Sequence, residues 1–253
     1  MGAGDVTVSN TTNRGLKGCM FNGTSALMTG TFTMPKGSFS LSTWVYPKGN
    51  IGGNGPLMIF GNFYGLLSQG AGNSTDFKMT IRFGGATKTF QKNGSIDRFK
   101  WTHLSVTYDH LTDTVTLYKN GVDQAPLNTA DAIVGLTKDD QVFYSLGART
   151  DPLYYHGMIK DACFYEKALS QAQITQLANH NHVTDGLIHR YNFKNNNFND
   201  SVGSANGTNT DGVITILDEE IATAVAAQRT DATDQWLCYK GSEGQVGTIN
   251  IEN

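Results

Sequence analysis

The chain has 253 residues, 39% of them hydrophobic and only 16% charged, with 29 Gly, 5 Pro and a net charge of −3. That length suits one large β-sandwich, and with no basic block the composition argues against a nucleic-acid partner. No apolar run approaches the ~20 residues of a membrane span, and the N-terminal MGAGDVTVSN lacks the basic and apolar regions of a secretory signal.

In chain order, strand signals dominate. DVTVS (5–9) alternates, and LKGCMFNG (16–23) ends in the turn pair Asn22-Gly23. SFSLSTWVYP (38–47) puts Phe39, Leu41, Thr43 and Val45 on one face and Trp44 and Tyr46 on the other, and Pro47 ends it because proline donates nothing to a ladder. PLMIFGNFYGLLS (56–68) is apolar and broken by Gly, and DFKMTIRFGG (76–85) aligns Phe77, Met79, Ile81 and Phe83. KWTHLSVTYD (100–109) and DTVTLYKNGV (113–122) form a hairpin through DHLTD, and QVFYSLGA (141–148) and GMIKDACFY (157–165) complete the set. Short strands with turns every ten or so residues predict an all-β, antiparallel sandwich. The only helix expected begins at Ser170, where Gln173 closes a capping box and Ile174 and Leu177 share a face. Cys19, Cys163 and Cys238 match no zinc spacing and sit in apolar strands, so they are expected to be buried thiols.

The stretch Gly157, Ile159, Asp161, Tyr165, Ala168, Leu169, Ser170, Ile174 resembles the closing strand and helix of laminin-G-like jelly rolls of the concanavalin A-like class. FNGTSALM (21–28), FSLSTWVYP (39–47), and WTHLSVTYD with VTLYKNGV (101–122) resemble that family in its own order, so the likeness covers roughly residues 4–180. It implies a jelly-roll sandwich over 1–183, with one short helix. The family's opening strand is missing at the N-terminus and stands instead at 187–208 (LIHRYNFKNNNFNDSVGSANGT). Residues 184–253 thus read as a smaller, mostly β segment resembling the start of a second copy, in which Tyr239, Lys240, Gly241 and Ser242 stand where Phe21, Asn22, Gly23 and Thr24 stand in the first. A sandwich lacking a strand exposes an unpaired edge. Strand 187–193 is expected to fill it within the same chain, to fill it in a neighbour, or to pack as a hairpin on the side.

The fold hosts glucanases as well as lectins, but the alternating carboxylates of a retaining glycosidase are absent: LDEEI (217–221) is adjacent rather than alternating, and KDDQ (138–141) reads as a solvated turn. No enzyme is expected. His180 and His182 lack a third ligand and read as a helix end. The resemblance implies that calcium is the ion to consider, on loop carboxylates at the sandwich edge, with Asp109, Asp113, Asp151 and Asp200 as candidates. A sugar site needs rings to stack on and polar groups beside them. The candidates are Arg149, Asp151, Tyr154, Tyr155 and His156 in ARTDPLYYHG, and Asn62 and Tyr64 in the Gly-rich 49–65.

The expected function is a non-catalytic structural or binding module. One form is a virion or surface-assembly protein (a phage decoration, fibre or capsid-associated component) partnered by other protein subunits and by surface glycans. The other is a stand-alone glycan-binding lectin module with a calcium requirement. Either form is expected at a virion or extracellular surface.

Overall fold

A computed structural model describes residues 17–48, 54–60, 64–69, 74–125, 142–148, 153–193, 197–210 and 215–218. Among them are fifteen strands and one helix, in two antiparallel sheets. The first sheet runs in the order β10 (Val122–Asp123), β9 (Thr114–Lys119), β8 (Thr102–Asp109), β3 (Phe39–Pro47), β12 (His156–Tyr165), β1 (Lys17–Asn22), β15 (Thr215–Asp218), with β13 (Leu187–Tyr191) also paired to β12. The second runs β14 (Thr208–Thr210), β2 (Leu27–Thr31), β11 (Phe143–Leu146), β4 (Asn54–Phe60), β5 (Tyr64–Gln69), β6 (Ser74–Phe83), β7 (Ala86–Asp97). Alternation decides what each strand buries. Phe39, Leu41 and Val45 of β3 meet Phe77, Met79, Ile81 and Phe83 of β6 in one shared core. β7 went unread in the sequence because Thr, Lys, Gln and Asn fill its solvent face, leaving only Phe90 and Ile96 buried.

The two halves of β12 have different neighbours. Its first half pairs with β1 (Gly18↔Lys160 to Asn22↔His156) and its second with β13 (Ala162↔Tyr191 to Tyr165↔Leu187), while β3 lies along the other side. Between the halves the register shifts at Asp161, a non-glycine residue at φ 51°. The carboxylate of Asp161 accepts from the Arg190 Nε of β13, an ion pair that ties β12 to β13. Gly157 begins the closing motif because a Cβ there would collide with the Tyr46 carbonyl oxygen.

Strand 187–191 therefore docks within its own chain, and the same C-terminal segment adds β14 to the second sheet and β15 to the first. Tyr191 and Phe193 are buried in the common core. Two such rings bury a few hundred Å², or several kcal/mol at ~25 cal/mol per Å². Period-two alternation would put Leu187, His189, Tyr191 and Phe193 on one face, and the structure breaks it at one point. A bulge between Phe164 and Tyr165 leaves Ile188 out of the ladder, so Ile188 turns to the core while Leu187 packs with the helix cluster. Residues 5–9 and 236–253, which also entered the two-copy reading, lie outside the described residues.

Helix α1 (Gln171–Ala178) explains why a strand runs straight into a helix. Ser170 accepts from Gln173 N, and the Gln173 side chain accepts from Ser170 N, closing the capping box. The chain then folds back over the outer face of the first sheet. There Ile174, Leu177, Leu169 and Val183 pack on Tyr118, Cys163 and Tyr165. Cys19 and Cys163 are free and buried, whereas Cys238 lies outside the described residues.

Candidate functional site

The helix covers only part of that outer face. Beyond it, one cross-strand row carries Gly18 (β1), Lys160 (β12), Trp44 (β3) and His103 (β8). Direct cross-strand partners share a face, so these four project from the sheet together. Lys160 is buried, with its ammonium 5.1 Å from the Trp44 ring centroid and 4.6 Å from that of Trp101. Those are cation–π distances. Both indoles keep part of their surface in solvent. Trp101 also leans on Tyr46 at 5.5 Å, and Met20 and Met158 pack beside that pair.

Under Trp44 lies His103, which is buried. Its Nε2 is 2.8 Å from the Ser42 hydroxyl and 3.4 Å from that of Ser105. Burial, with the charge of His180 second, lowers its pKa from 6.5 to about 3, so the ring is neutral at physiological pH. His180 lies over Trp44 at 4.2 Å, with the rings 6° from parallel. His182 contacts the Arg190 guanidinium, 3.1 Å from Nη1. The two histidines therefore face different partners. Within a few strands the face combines two partly exposed indoles, a guanidinium, a carboxylate and two exposed imidazoles. Groups of these types stack on a sugar ring and hydrogen-bond its hydroxyls, and one ring face of Trp44 is already taken by His180.

The residues singled out in the sequence fall elsewhere. Tyr155 is fully buried, its hydroxyl donating to the Met158 carbonyl oxygen at 3.3 Å. Its ring packs near Phe21 in the core and cannot stack on a ligand, which corrects the expectation. Tyr154 and His156 are partly exposed at the start of β12, where Tyr154 bridges to Ala148. Arg149, Asp151 and Asn62 lie outside the described residues, as does the side chain of Tyr64.

Of the candidate calcium carboxylates, Asp200 is corrected by its partners. It accepts from the backbone N–H of Arg190, Val202, Gly203 and Ala205, and its other neighbour is His189 Nδ1. Its side chain is wholly buried. Burial raises its pKa, but the N–H of Arg190, the His189 ring and the N–H of Gly203 and Val202 outweigh that and hold it below the usual carboxylate value. A carboxylate sealed among N–H donors offers no oxygen to a cation. Asp109 accepts from Leu111 N and from the Ser38 hydroxyl, and Asp113 accepts from the Tyr108 hydroxyl, so both brace the β8–β9 turn. Among the described residues no three His, Cys, Asp or Glu side chains are grouped to hold a metal. No helix among them is long and apolar enough to cross a membrane.

The family profile described as the concanavalin A-like lectin/glucanases superfamily (Laminin_G_3) matches residues 21–175, more than half of the chain. The chain belongs to that superfamily. Among solved structures, a heptameric SAP-like pentraxin from Limulus polyphemus is similar, at TM-score 0.58 and 12% identity over 81% of this chain and 97% of the pentraxin. So is a putative carbohydrate binding protein from Bacteroides ovatus, at TM-score 0.57 and 16% identity over 81% of this chain and 61% of that one. At those identities the likeness is one of fold. No curated sequence matches the chain.

Lys160 was missed as a site residue, and Trp44 and Trp101 entered only as wall residues. A signal was present: in GMIKDACFY a lysine stands inside an otherwise largely apolar strand, and such a cation needs rings or an anion beside it.

Proposed function

We propose that this protein is a non-catalytic glycan-binding module that contacts sugar on the outer face of its first sheet. The observation that supports it most is the pair of partly exposed indoles, Trp44 and Trp101, over the Lys160 ammonium. Superfamily membership and the likeness to a putative carbohydrate binding protein favour the same reading. Glucanases share the fold; among the described residues the acid next to Lys160 in the chain is Asp161, and it is paired with Arg190.

Glycan-array binding of the full chain, compared with Trp44→Ala and Trp101→Ala, tests the reading. Each substitution should weaken binding by several-fold to about tenfold, at about 0.5–1.5 kcal/mol for a lost aromatic contact. Binding untouched by both substitutions would move the site, with Tyr154 and His156 next in line. Calcium has no place in this reading, so binding that vanishes in EDTA would return it to the Asp109–Asp113 turn and the 149–151 loop.

A second role, as a subunit of a virion or surface assembly, is favoured by β7. This is a twelve-residue strand that ends the second sheet, and an end strand is a template on which another chain can pair. Ordered oligomers in the native protein, seen by light scattering without added glycan, would support it.

A further inference from the structure

We propose that the C-terminal segment from Val183, carrying β13, β14 and the β15 that pairs with β1, is an exchangeable clip, and that a second copy of this chain can fill the same seat with its own clip. The inference stands on strand pairing and is independent of glycan binding. The clip is held together by its own contacts. The Asp200 carboxylate gathers the N–H of Arg190, Val202, Gly203 and Ala205, and Ser201 donates to the Arg190 carbonyl oxygen, so β13 and the turn after it move as one piece.

The seat is equally defined. β13 adds to the second half of β12, β14 adds to β2 as Thr208↔Thr29, and the Tyr191 hydroxyl shares the Ala205 carbonyl oxygen with Tyr144 of β11. Every one of these contacts forms equally well whichever copy supplies the clip. The partner is a second copy because the seat's register, its ring slot and the Asp161–Arg190 pair complement this sequence.

The hinge favours exchange. Residues 179–182 are all exposed, and His180, a non-glycine residue, is held at φ 60°. Short hinges under strain open to exchange, and four extended residues reach roughly 14 Å. Straightening relieves His180 and lifts its ring off Trp44. The stack itself, and the His182 contact with Arg190, hold the closed form.

The full chain, unfolded and refolded at rising concentration, should give a two-copy species by light scattering. Deleting Asn181 and His182 leaves the hinge too short to close and should make that species dominant. His180→Gly relieves the strain and should lower its share several-fold. A Thr29→Cys/Thr208→Cys variant reports who supplies the clip. Its oxidised cross-link should join two chains in the two-copy fraction and close within one chain in the single-copy fraction. A shortened hinge that folds as a single copy, or a two-copy fraction cross-linked only within chains, overturns the proposal. If the shortened variant fails to fold, the cross-link on the natural hinge decides, and no interchain product at any concentration overturns it.

Discussion

The two faces of the first sheet are buried to a similar degree by opposite means. On the inner face Leu41, Val106, Phe164 and Tyr191 meet the second sheet in an apolar core. On the outer face, beside the apolar cluster under the helix, Ser40, Ser42, His103, Ser105 and Lys160 are as inaccessible, yet they are polar. An apolar face is held by area and tolerates no hole. A polar face is held by partners, and each lost partner leaves a group that was solvated in the unfolded chain. The contrast shows where a site can be built: the outer face is stable enough to hold rings and charges in place, and open enough beyond the helix to offer them.

The largest effect should come from the inner face. Tyr191→Ala empties the slot between Tyr144 and Phe164 and should cost about 3–5 kcal/mol in denaturant unfolding. That is a large share of an ordinary domain's stability. A cost below 1 kcal/mol would mean that β13 contributes little to the core. On the outer face, Lys160→Ala removes both the stem packing and the two ring contacts and should cost about 2 kcal/mol. Lys160→Met, which restores the stem alone, should recover part of this. Full recovery by Met would show that packing, not charge, holds that face.

The third test uses pH. His103 has its pKa lowered from 6.5 to about 3 in the folded state, so the unfolded chain takes up a proton that the folded chain refuses. Its contribution is complete above pH 6.5 and is lost as pH falls from there towards 3. Between pH 7 and pH 5 the loss should be about 2 kcal/mol. His103→Gln should flatten the curve in that window, and an equally steep curve in the variant would place the titration elsewhere. The smallest effect concerns the helix that covers the face. Ser170→Ala removes the N-cap and should lower stability by about 1 kcal/mol, read as a small shift in melting temperature.

Much of the fold could be read from local pattern. Period-two alternation identified β3, β6, β8 and β9 and told Trp44 from its neighbours, because a pleated strand sends successive side chains to opposite faces. The capping box marked the helix for an equally local reason, since its two hydrogen bonds close within four residues. The resemblance of 187–208 to an opening strand identified a segment out of its family order. The candidate site was less legible. Tyr155 and Asp200 have the residue types of a site, but what a tyrosine or an aspartate does is set by burial and partners, which sequence does not display.

The sequence by itself determined the all-β class, most of the long strands and the helix, since each follows from neighbours a few residues apart, while the resemblance to a family order was what pointed to a further strand. Tertiary structure decided the rest. It chose to dock 187–191 within its own chain, on the half of β12 that β1 leaves free. It slipped the register so that Ile188 faces inward, and it brought Lys160 between indoles 116 and 59 positions away in the chain. Those outcomes depend on pairings between distant strands, whose free energies appear only when the sheets close on one another.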